Sequence, residues 1–320
     1  MLTSTRARPA LVAVAVLAAA MCAACGSSAA SSAGPAGSGS AGAGFPVTVI
    51  TPAGNVHLAS RPNAIVSLAP TATEMLYAIG AGSQVKAVDD DSDYPADVPT
   101  TKLSGFDPNA EAIAGYKPDL VVISNNLDGI TAKLTALSIP VLDLPAASNM
   151  SGVYAEFTQL GAATGHAAQA RAEDGKLKQE IAAILAAEPD RAKPLTYFYE
   201  LGANPYYSVT DSTFVGGVLS LLGMKSIADS ATGAAAAGGY PELSPEFIFK
   251  ANPDYIILSD TGGNGGQDAA TVSARPGWSA LTAVQDKHVI TLNADIASRW
   301  GPRIVQLLQA VAAGIKSSSS

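Results

Sequence analysis

Cysteine is nearly absent from this chain of 320 residues, and its two cysteines, Cys22 and Cys25, both lie close to the N-terminus. The rest of the chain therefore contains no disulfide and must be held together by core packing. Histidine is equally scarce: His57, His166 and His288 stand in different segments, without the spacing of metal ligands. The sequence thus argues against a zinc or manganese site, and it predicts no resident metal or cofactor.

Basic residues are also few, since 19 Lys and Arg stand against 27 Asp and Glu, for a formal net charge of −8. An acidic chain without a basic run is a poor partner for nucleic acid or anionic lipid. After residue 24, no apolar stretch approaches the length of about 18 residues that a transmembrane helix needs. We also find no nucleophile elbow and, beyond Cys25, no cysteine nucleophile or assembled Ser/His/Asp set. These absences favour a binding protein over an enzyme.

The N-terminus has the features of an export signal. Arg6 and Arg8 give it a positive start, an apolar run follows at 11–21, and small residues precede Cys25. The Ala-Ala-Cys-Gly sequence is similar to a bacterial lipoprotein signal, in which residues 1–24 are removed and Cys25 is lipidated; a plain secretory signal is the alternative. Loss of the two arginines leaves 17 basic residues against 27 acidic ones, a net charge of −10.

Composition divides the remaining chain into a tether and a folded body. Residues 25–44 are almost entirely Ser, Ala and Gly, which bury too little apolar surface to fold, so they predict a flexible tether. The body that follows is longer than one hydrophobic core usually serves, which predicts two lobes. The predicted parts are an N-terminal lobe, a linking helix, a C-terminal lobe and a serine tail, at 45–160, 161–192, 193–316 and 317–320.

One phrase of the sequence occurs twice. AEAIAGYKPDLVVIS at 110–124 and PEFIFKANPDYIILS at 245–259 share a glutamate (Glu111 and Glu246), a Pro-Asp pair and a final serine. Each phrase predicts a short helix, a turn and a strand that is buried on both faces. The repeat therefore indicates two lobes of similar construction.

Short β-branched runs alternate with helical segments in both halves. Thr71 and Glu74 have the spacing of a capping box and predict the start of the first helix. Predicted strands lie at 63–70, 84–90, 120–124, 141–145, 195–201, 206–210, 255–259 and 288–292. Predicted helices lie at 71–82, 110–116, 129–139, 214–223, 245–251, 278–284 and 302–315. An Ala-, Lys- and Glu-rich stretch from about His166 to Glu188 predicts a long helix between the halves.

This alternation predicts an α/β fold of two similar lobes with mostly parallel sheets flanked by helices. One long helix joins the lobes. Because parallel strands present their loops at one edge of each sheet, the cleft between the lobes is the expected ligand site.

The body resembles the substrate-binding proteins of ABC importers for vitamin B12, ferric siderophores and haem, which are hinged by a single helix. The resemblance covers about 46–316 and rests on several phrases in order. They are RPNAIVSLAPTATEMLYAIGAG, SDYP (92–95), NAEAIAGYKPDLVV, GANPYYSV (202–209), YPELSPEFIFKANPDYIIL and SRWGPRI (298–304). The cobalamin-binding branch of the family is the most similar.

The resemblance implies which residues face the ligand. They are Tyr94, Phe106, Tyr207, Tyr240, Asp295 and Arg299. Aromatic faces suit a large flat macrocycle, and polar groups suit its side arms. This chain is less aromatic than the cobalamin-binding branch, with Gly105 beside Phe106, with Asn125, and with Tyr240 where that branch has tryptophans. An arginine at a cleft mouth, where the resemblance places Arg299, is suited to clamp a carboxylate or phosphate, and this is the role predicted for it.

The resemblance also implies a role for the repeated glutamates. In this family one glutamate per lobe meets arginines of the two transporter subunits, at positions that match Glu111 and Glu246. Charge pairs of this kind fix register and speed encounter. The alternative is that both glutamates only complement the dipole of a helix N-terminus.

Two other motifs carry weaker expectations. The DDDSD run at 89–93 lacks the glycine and the distal glutamate of a calcium loop, and it predicts a solvated turn. The GGNGGQ run at 262–267 matches no phosphate-binding motif and predicts a loop at the rim of the cleft.

Together these features predict a monomeric, lipid-anchored, extracytoplasmic protein that is not an enzyme and that delivers cargo to the permease subunits of an ABC importer. The expected cargo is cobalamin or a related corrinoid, and the alternatives are a ferric siderophore or haem. Two alternatives of other classes are a cell-envelope interaction lipoprotein without small-molecule transport and a hydrolase.

Overall fold

A computed structural model describes residues 44–189, 191–262 and 265–317. The expected signal peptide, the lipidated Cys25 and nearly all of the tether therefore lie outside the described residues, as does most of the serine tail. The described chain opens with an antiparallel hairpin of β1 (Val47–Thr51) and β2 (Gly54–Leu58). Across the described ranges, we find no helix with both the length and the apolar character needed to cross a bilayer.

The N-terminal sheet has four parallel strands in the order β4-β3-β5-β6. Its strands are β3 (Ile65–Ser67), β4 (Val85–Val88), β5 (Leu120–Ile123) and β6 (Val141–Asp143). Its helices are α1 (Pro70–Ala78), α2 (Ala110–Ala114) and α3 (Ile130–Ala136). Every residue of β3 and β5 is buried. The continuous apolar runs of these strands thus correspond to a sheet covered on both faces.

The predicted capping box at the start of α1 is wrong. Ala69 is the N-cap and makes no side-chain cap hydrogen bond, and Pro70 occupies the first helical position. Proline is favoured there because its missing N–H would have no partner in the first turn. Thr71 and Glu74 are instead buried, at 4 % and 2 % exposure. Glu74 faces the interior because it pairs with arginines from the other end of the chain.

Two helices connect the sheets, where one was predicted. They are α4 (Met150–Thr164) and α5 (Ala167–Ala186), and α5 matches the predicted long helix. Gly165 ends α4 in the left-handed region, with φ of 77°. Gly161 allows the two helices to approach, because a Cβ there would lie 2.6 Å from that of Ala170.

The C-terminal sheet also has four parallel strands, in the order β10-β7-β12-β13, and a small antiparallel sheet, β11-β9-β8, accompanies it. The strands are β7 (Leu195–Glu200), β8 (Gly202–Ala203), β9 (Tyr206–Tyr207), β10 (Met224–Ser226), β11 (Glu242–Leu243), β12 (Tyr255–Leu258) and β13 (Val289–Thr291). The helices are α6 (Phe214–Ser220), α7 (Pro245–Ala251), α8 (Ala269–Ala274), α9 (Thr282–Gln285), α10 (Ala294–Ser298) and α11 (Ile304–Ser317). The two lobes predicted from the alternation are therefore present, each with a parallel sheet.

The repeated phrase forms the same local structure in both lobes. Its aspartate ties the turn to the start of a neighbouring strand. Asp119 accepts hydrogen bonds from the backbone of Asn63 and Ala64, at 2.9–3.1 Å, and Asp254 accepts from the backbone N–H and the hydroxyl of Thr196, at 2.7 and 2.6 Å. The repeat thus encodes a helix, a turn and a strand that is linked to the next strand of its sheet.

The lobes share one continuous core. Its buried residues come from both parallel sheets, from α4 and α5 between them, and from α11. Two smaller clusters lie on the outer faces of the sheets, one in each lobe. The buried faces of the linking helices are therefore part of this core, and the helices are not an exposed tether.

Candidate functional site

A cavity of about 460 Å³ lies between the two lobes. Its N-terminal wall includes Pro70, which follows β3, and Asn125, which follows β5. The order of the N-terminal sheet reverses between these two strands, which is the position where α/β sheets bind ligands. Its C-terminal wall comes from the segment that follows β13 and includes Asp295 and Trp300.

Three of the six predicted ligand residues meet in this cavity. Phe106, Asp295 and Arg299 all line it, and the Phe106 ring is 74 % exposed. Two polar side chains, Ser124 and Asn125, complete the N-terminal wall. The cavity thus combines aromatic surface with hydrogen-bonding groups, as a site for a large partly apolar ligand requires.

The three predicted tyrosines lie elsewhere. Tyr94 lines a separate cavity of about 420 Å³, and the Arg303 guanidinium stacks 4.4 Å from its ring centre. Tyr207 is in β9, paired with Glu242, and Tyr240 lies two residues before that partner. Tyr207 and Tyr240 are 43 % and 46 % exposed, in and just before strands of the small antiparallel sheet.

A second cavity lies close to the first along the chain. Ala146 lines the first cavity, and Ser148, two residues further on, lines another of about 610 Å³. The latter lies between the start of α4 and the segment Asp211–Leu221 that contains α6. The 146–148 loop thus borders both cavities.

Arg299 is not the lone cleft arginine that the sequence suggested. It is 8 % exposed, and its two terminal nitrogens donate to four acceptors. These are Glu74 Oε1 and Asp93 Oδ1, both at 2.9 Å, the Asp91 carbonyl at 2.8 Å and Asp295 Oδ1 at 3.0 Å. Burial opposes its charge, but the hydrogen bonds to Glu74 and Asp93 raise the pKa of Arg299 above its ordinary value. A ligand carboxylate would have to displace one of these partners to bind the terminal nitrogens.

A second arginine completes a buried ion cluster between the lobes. Arg303 donates to Glu74 Oε1 through Nε at 3.0 Å and Nη2 at 2.6 Å. The Glu74 side chain is fully buried and pairs with both guanidinium groups, which come from the C-terminal lobe. Breaking such a network leaves a charge uncompensated in the interior, which is strongly destabilising. The cluster therefore fixes the lobes against each other behind the cavity.

Trp300 is anchored to the linking region. Its indole Nε1 donates to both carboxyl oxygens of Glu156 on α4, at 3.1 and 3.0 Å. Burial raises the pKa of Glu156 to about 8, while the hydrogen bond from Trp300 lowers it by less. The aromatic wall of the cavity is thus held by a carboxyl group that is largely protonated at neutral pH.

The DDDSD turn forms one rim of the cavity. Asp89 is buried, and desolvation raises its pKa to about 6, against the hydrogen bond from the Ser92 hydroxyl. Asp90, Asp91 and Asp93 are exposed, as predicted for a solvated turn, and the buried Asp89 is the exception. Within the described ranges, no three His, Cys, Asp or Glu side chains are placed to hold a metal ion together.

The repeated glutamates occupy equivalent positions. Glu111 and Glu246 are each the second residue of a short helix and are exposed. Each helix is capped by the residue before it, since Asn109 and Ser244 accept from the backbone of the third helical residue. Hydrogen bonds from its own backbone and from Ser244 lower the pKa of Glu246 below its ordinary value. Both lobes thus present one exposed carboxylate from the same structural unit.

Sequence reasoning did not identify Glu74, Glu156 or Arg303. A local signal existed for Glu74, because it is the one acid in a helix whose other side chains are apolar or small. An acid on such a face requires a buried partner. The identity of that partner was not readable, since Arg299 lies 225 residues away.

Two apposed α/β lobes with a groove at the carboxyl ends of their parallel strands define a bilobal ligand-binding protein. The family model described as "Periplasmic binding protein" matches residues 65–296, and the chain belongs to this family.

Individual relatives cover most of the chain. It is 30 % identical over 285 residues to an uncharacterized ABC transporter substrate-binding lipoprotein, YvrC of Bacillus subtilis, covering 85 % of this chain and 86 % of the relative. It is 31 % identical over 274 residues to a cobalamin-binding protein of Halobacterium salinarum, covering 82 % and 72 %. Among solved structures, a possible iron-binding, periplasmic solute-binding protein from Staphylococcus epidermidis superimposes with a TM-score of 0.69 at 27 % identity, covering 80 % of this chain and 99 % of that one.

Proposed function

We propose that this protein is the extracytoplasmic substrate-binding component of an ABC importer, and that its cargo is cobalamin or a related corrinoid. The groove between the lobes carries the proposal. Its 460 Å³ cavity and a second of about 610 Å³ border the same 146–148 loop, and space of this extent suits a macrocycle better than a small metabolite. The exposed Phe106 ring and the Trp300 indole supply aromatic walls for a flat ligand.

The relatives support the same cargo class. The cobalamin-binding protein of Halobacterium salinarum aligns with 82 % of this chain, and its name states what that protein binds. The name of YvrC supports delivery to an ABC permease and anchoring through a lipid. We extend both properties to this chain, with Cys25 as the lipidated residue, the outer face of the cytoplasmic membrane or the periplasm as its location, and a monomer that binds its cargo without chemical change.

A thermal-shift panel tests the cargo. The full-length protein in detergent is heated with cyanocobalamin, cobinamide, ferrichrome, ferrioxamine B or haem, each at about 100 times its dissociation constant. A ligand that binds only the folded state adds about 2.7 kcal/mol at this ratio. Stabilisation by the corrinoids alone is the expected result. Stabilisation by an iron chelate alone would contradict the corrinoid proposal and favour the siderophore or haem alternative. If no ligand shifts the transition, the protein is not an importer component of this kind.

The exposed glutamates are the proposed contacts with the permease. Two equivalent carboxylates, one per lobe, fit two permease subunits that each present a basic group. Replacement of Glu111 or Glu246 by Gln removes one charge-assisted pair each, and we expect about tenfold weaker binding to the cognate permease for each. Asp286→Asn, an exposed acid outside both helices, is the matched control. Equal effects of all three variants would indicate general charge attraction and would refute specific docking.

A further inference from the structure

The charge that the cavity presents to a ligand is negative, although an arginine lines it. Among the described lining residues, Arg299 is the one basic side chain, and Asp91 and Asp295 are the acidic ones. We propose that these two aspartates determine specificity, so that the cleft selects cargo whose periphery carries neutral amide or cationic groups and discriminates against carboxylate-bearing cargo. This inference rests on the proposed function and narrows its cargo class.

The orientation of the charges is the first argument. Glu74, Asp93 and Asp295 supply three carboxylates around Arg299 and Arg303, and Asp91 contributes its backbone carbonyl, which leaves the Asp91 carboxylate outside these contacts. The two guanidinium side chains are only 7 % and 10 % exposed, whereas those of Asp93 and Asp295 are 61 % and 38 % exposed. The positive charges are therefore buried, whereas the carboxylates of Asp93 and Asp295 reach solvent, and that of Asp295 does so in the lining of the cavity. With low-dielectric walls on both sides, this arrangement focuses a negative potential in the cleft.

The hydrogen-bonding capacity of Arg299 is the second argument. Its terminal nitrogens already donate to four protein oxygens at 2.8–3.0 Å. An ionised ligand carboxylate accepts hydrogen bonds but donates none, so it could bind the two terminal nitrogens of Arg299 only by displacing Asp93 or Asp295. The displaced aspartate would then stand beside the incoming anion without its partner. Such an exchange replaces one ion pair by another and adds a repulsion.

The ligand groups that match this surface are hydrogen-bond donors. Amide NH2 and ammonium groups donate to carboxylates, and the hydroxyl of Ser124 and the amide of Asn125 in the same wall can both donate and accept. A flat body stacked on Phe106 or Trp300 would place such donors at its edge near Asp91 and Asp295. The primary amides around a corrin ring can donate hydrogen bonds to these carboxylates, whereas the propionates of haem are anionic and can only accept them.

Isothermal titration of the full-length protein at pH 7.5 tests the inference directly. The probes are cyanocobalamin and its monocarboxylic derivatives, in which one peripheral amide has been hydrolysed to a carboxylate. They differ by a single charge and have nearly the same shape. We expect at least one derivative to bind ten times more weakly than cyanocobalamin. Equal or tighter binding of all the derivatives would overturn the inference.

Variants identify the residues responsible. For a derivative that binds the unmodified protein ten times more weakly than cyanocobalamin, Asp295→Asn and Asp91→Asn should each reduce this ratio of dissociation constants to threefold or less. Asp97→Asn, which lines the 420 Å³ cavity instead, is the matched control and should leave the ratio unchanged. A melting curve shows whether each variant is folded, and the ligand series on the unmodified protein needs no variant. An undiminished ratio in both cleft variants would exclude these aspartates as the determinants.

The test separates this inference from the cargo proposal. If no corrinoid binds, the corrinoid proposal fails. The preference for neutral or cationic cargo over anionic cargo, here called the charge rule, is then tested with iron complexes. Neutral ferrichrome and cationic ferrioxamine B should then bind at least tenfold more tightly than anionic ferric citrate or haem. The reverse order would overturn the charge rule while leaving an iron cargo in place. Binding of none of these probes would overturn both proposals.

Discussion

The two lobes have the same sheet topology but use its reversal point differently. In the N-terminal lobe, the crevice between β3 and β5 opens into the cavity through Pro70 and Asn125. In the C-terminal lobe, the equivalent crevice between β7 and β12 is filled by Arg275. Its guanidinium makes two hydrogen bonds of 2.6 Å to the carboxylate of Glu200, the last residue of β7. Topology thus offers two candidate ligand sites, and side-chain chemistry leaves one of them open.

In the filled crevice, side chains of the protein itself supply the contacts of Arg275. Arg275 also donates to Gln267 at 2.7 Å and lies 4.6 Å from the ring centre of Trp278. Asp260, at the end of the same crevice, has its pKa raised to about 6 by burial and by the neighbouring charge of Glu200. The protein's own arginine therefore occupies the place that a cationic ligand group would take. The difference between the lobes shows that a repeated fold does not imply a repeated function.

The largest expected effect on stability comes from breaking the ion pair in the filled crevice. Glu200→Ala leaves the Arg275 guanidinium without its carboxylate, and we expect the free energy of unfolding to fall by about 3–5 kcal/mol. Urea denaturation measures this loss. The double variant Glu200→Leu/Arg275→Met should recover most of it, because an apolar pair of similar volume replaces the ion pair. A loss of cargo binding in Glu200→Ala without a loss of stability would instead make this crevice a second ligand site.

A smaller effect concerns the wall of the open crevice. The pKa of Glu156 is raised from 4.5 to about 8, so the folded state binds a proton that the unfolded state releases between these values. Stability from this group is complete below about pH 4.5 and is lost as the pH rises toward 8. We expect the free energy of unfolding to fall by roughly 3 kcal/mol between pH 5 and pH 8 on this account.

Urea titrations at several pH values check this prediction against Glu156→Gln, which keeps an acceptor for Trp300 but cannot ionise. Asp89 and Asp260, whose pKa values are raised to about 6, change stability in the same direction in both proteins, so the difference isolates Glu156. The variant should have the flatter curve. Parallel curves would show that Glu156 is already ionised in the folded protein.

The smallest expected effect on stability comes from the ligand wall itself. Phe106 is 74 % exposed, so Phe106→Ala should change the free energy of unfolding by no more than about 0.5 kcal/mol. We expect corrinoid affinity to fall about tenfold in the same variant, because a stacking surface is lost. Tyr116→Ala, an exposed aromatic of the same lobe outside the cavity lining, is the control for both measurements. Unchanged affinity would remove Phe106 from the site.

Most of the fold was predictable because its signals are local. A segment of about 15 residues is enough to predict the apolar strands β5 and β12 and the Pro-Asp turns that precede them. The 47–58 hairpin was not predicted, and its strand β1 leaves Ile50 70 % exposed, which obscures the alternation of buried and exposed residues. The prediction of a capping box was wrong because Glu74 forms ion pairs with arginines that are distant in the sequence.

The site was predictable only in part. The resemblance placed Phe106, Asp295 and Arg299 together, but the ion pairs of Arg299 involve Glu74 and Asp93, which lie more than 200 residues away in the chain. No local pattern carries such pairings. The change of Arg299 from a predicted ligand clamp to a structural cross-link is therefore the point at which only the three-dimensional arrangement was informative.

The continuous core across both lobes has a consequence for how the protein melts. Because buried residues of the two sheets, of α4 and α5, and of α11 form one cluster, neither lobe can lose its packing while the other keeps all of its own. Unfolding should then be a single cooperative transition, with a calorimetric enthalpy equal to the van't Hoff enthalpy. An isolated half, cut within the linking helices, would expose the apolar surface that the other half covers.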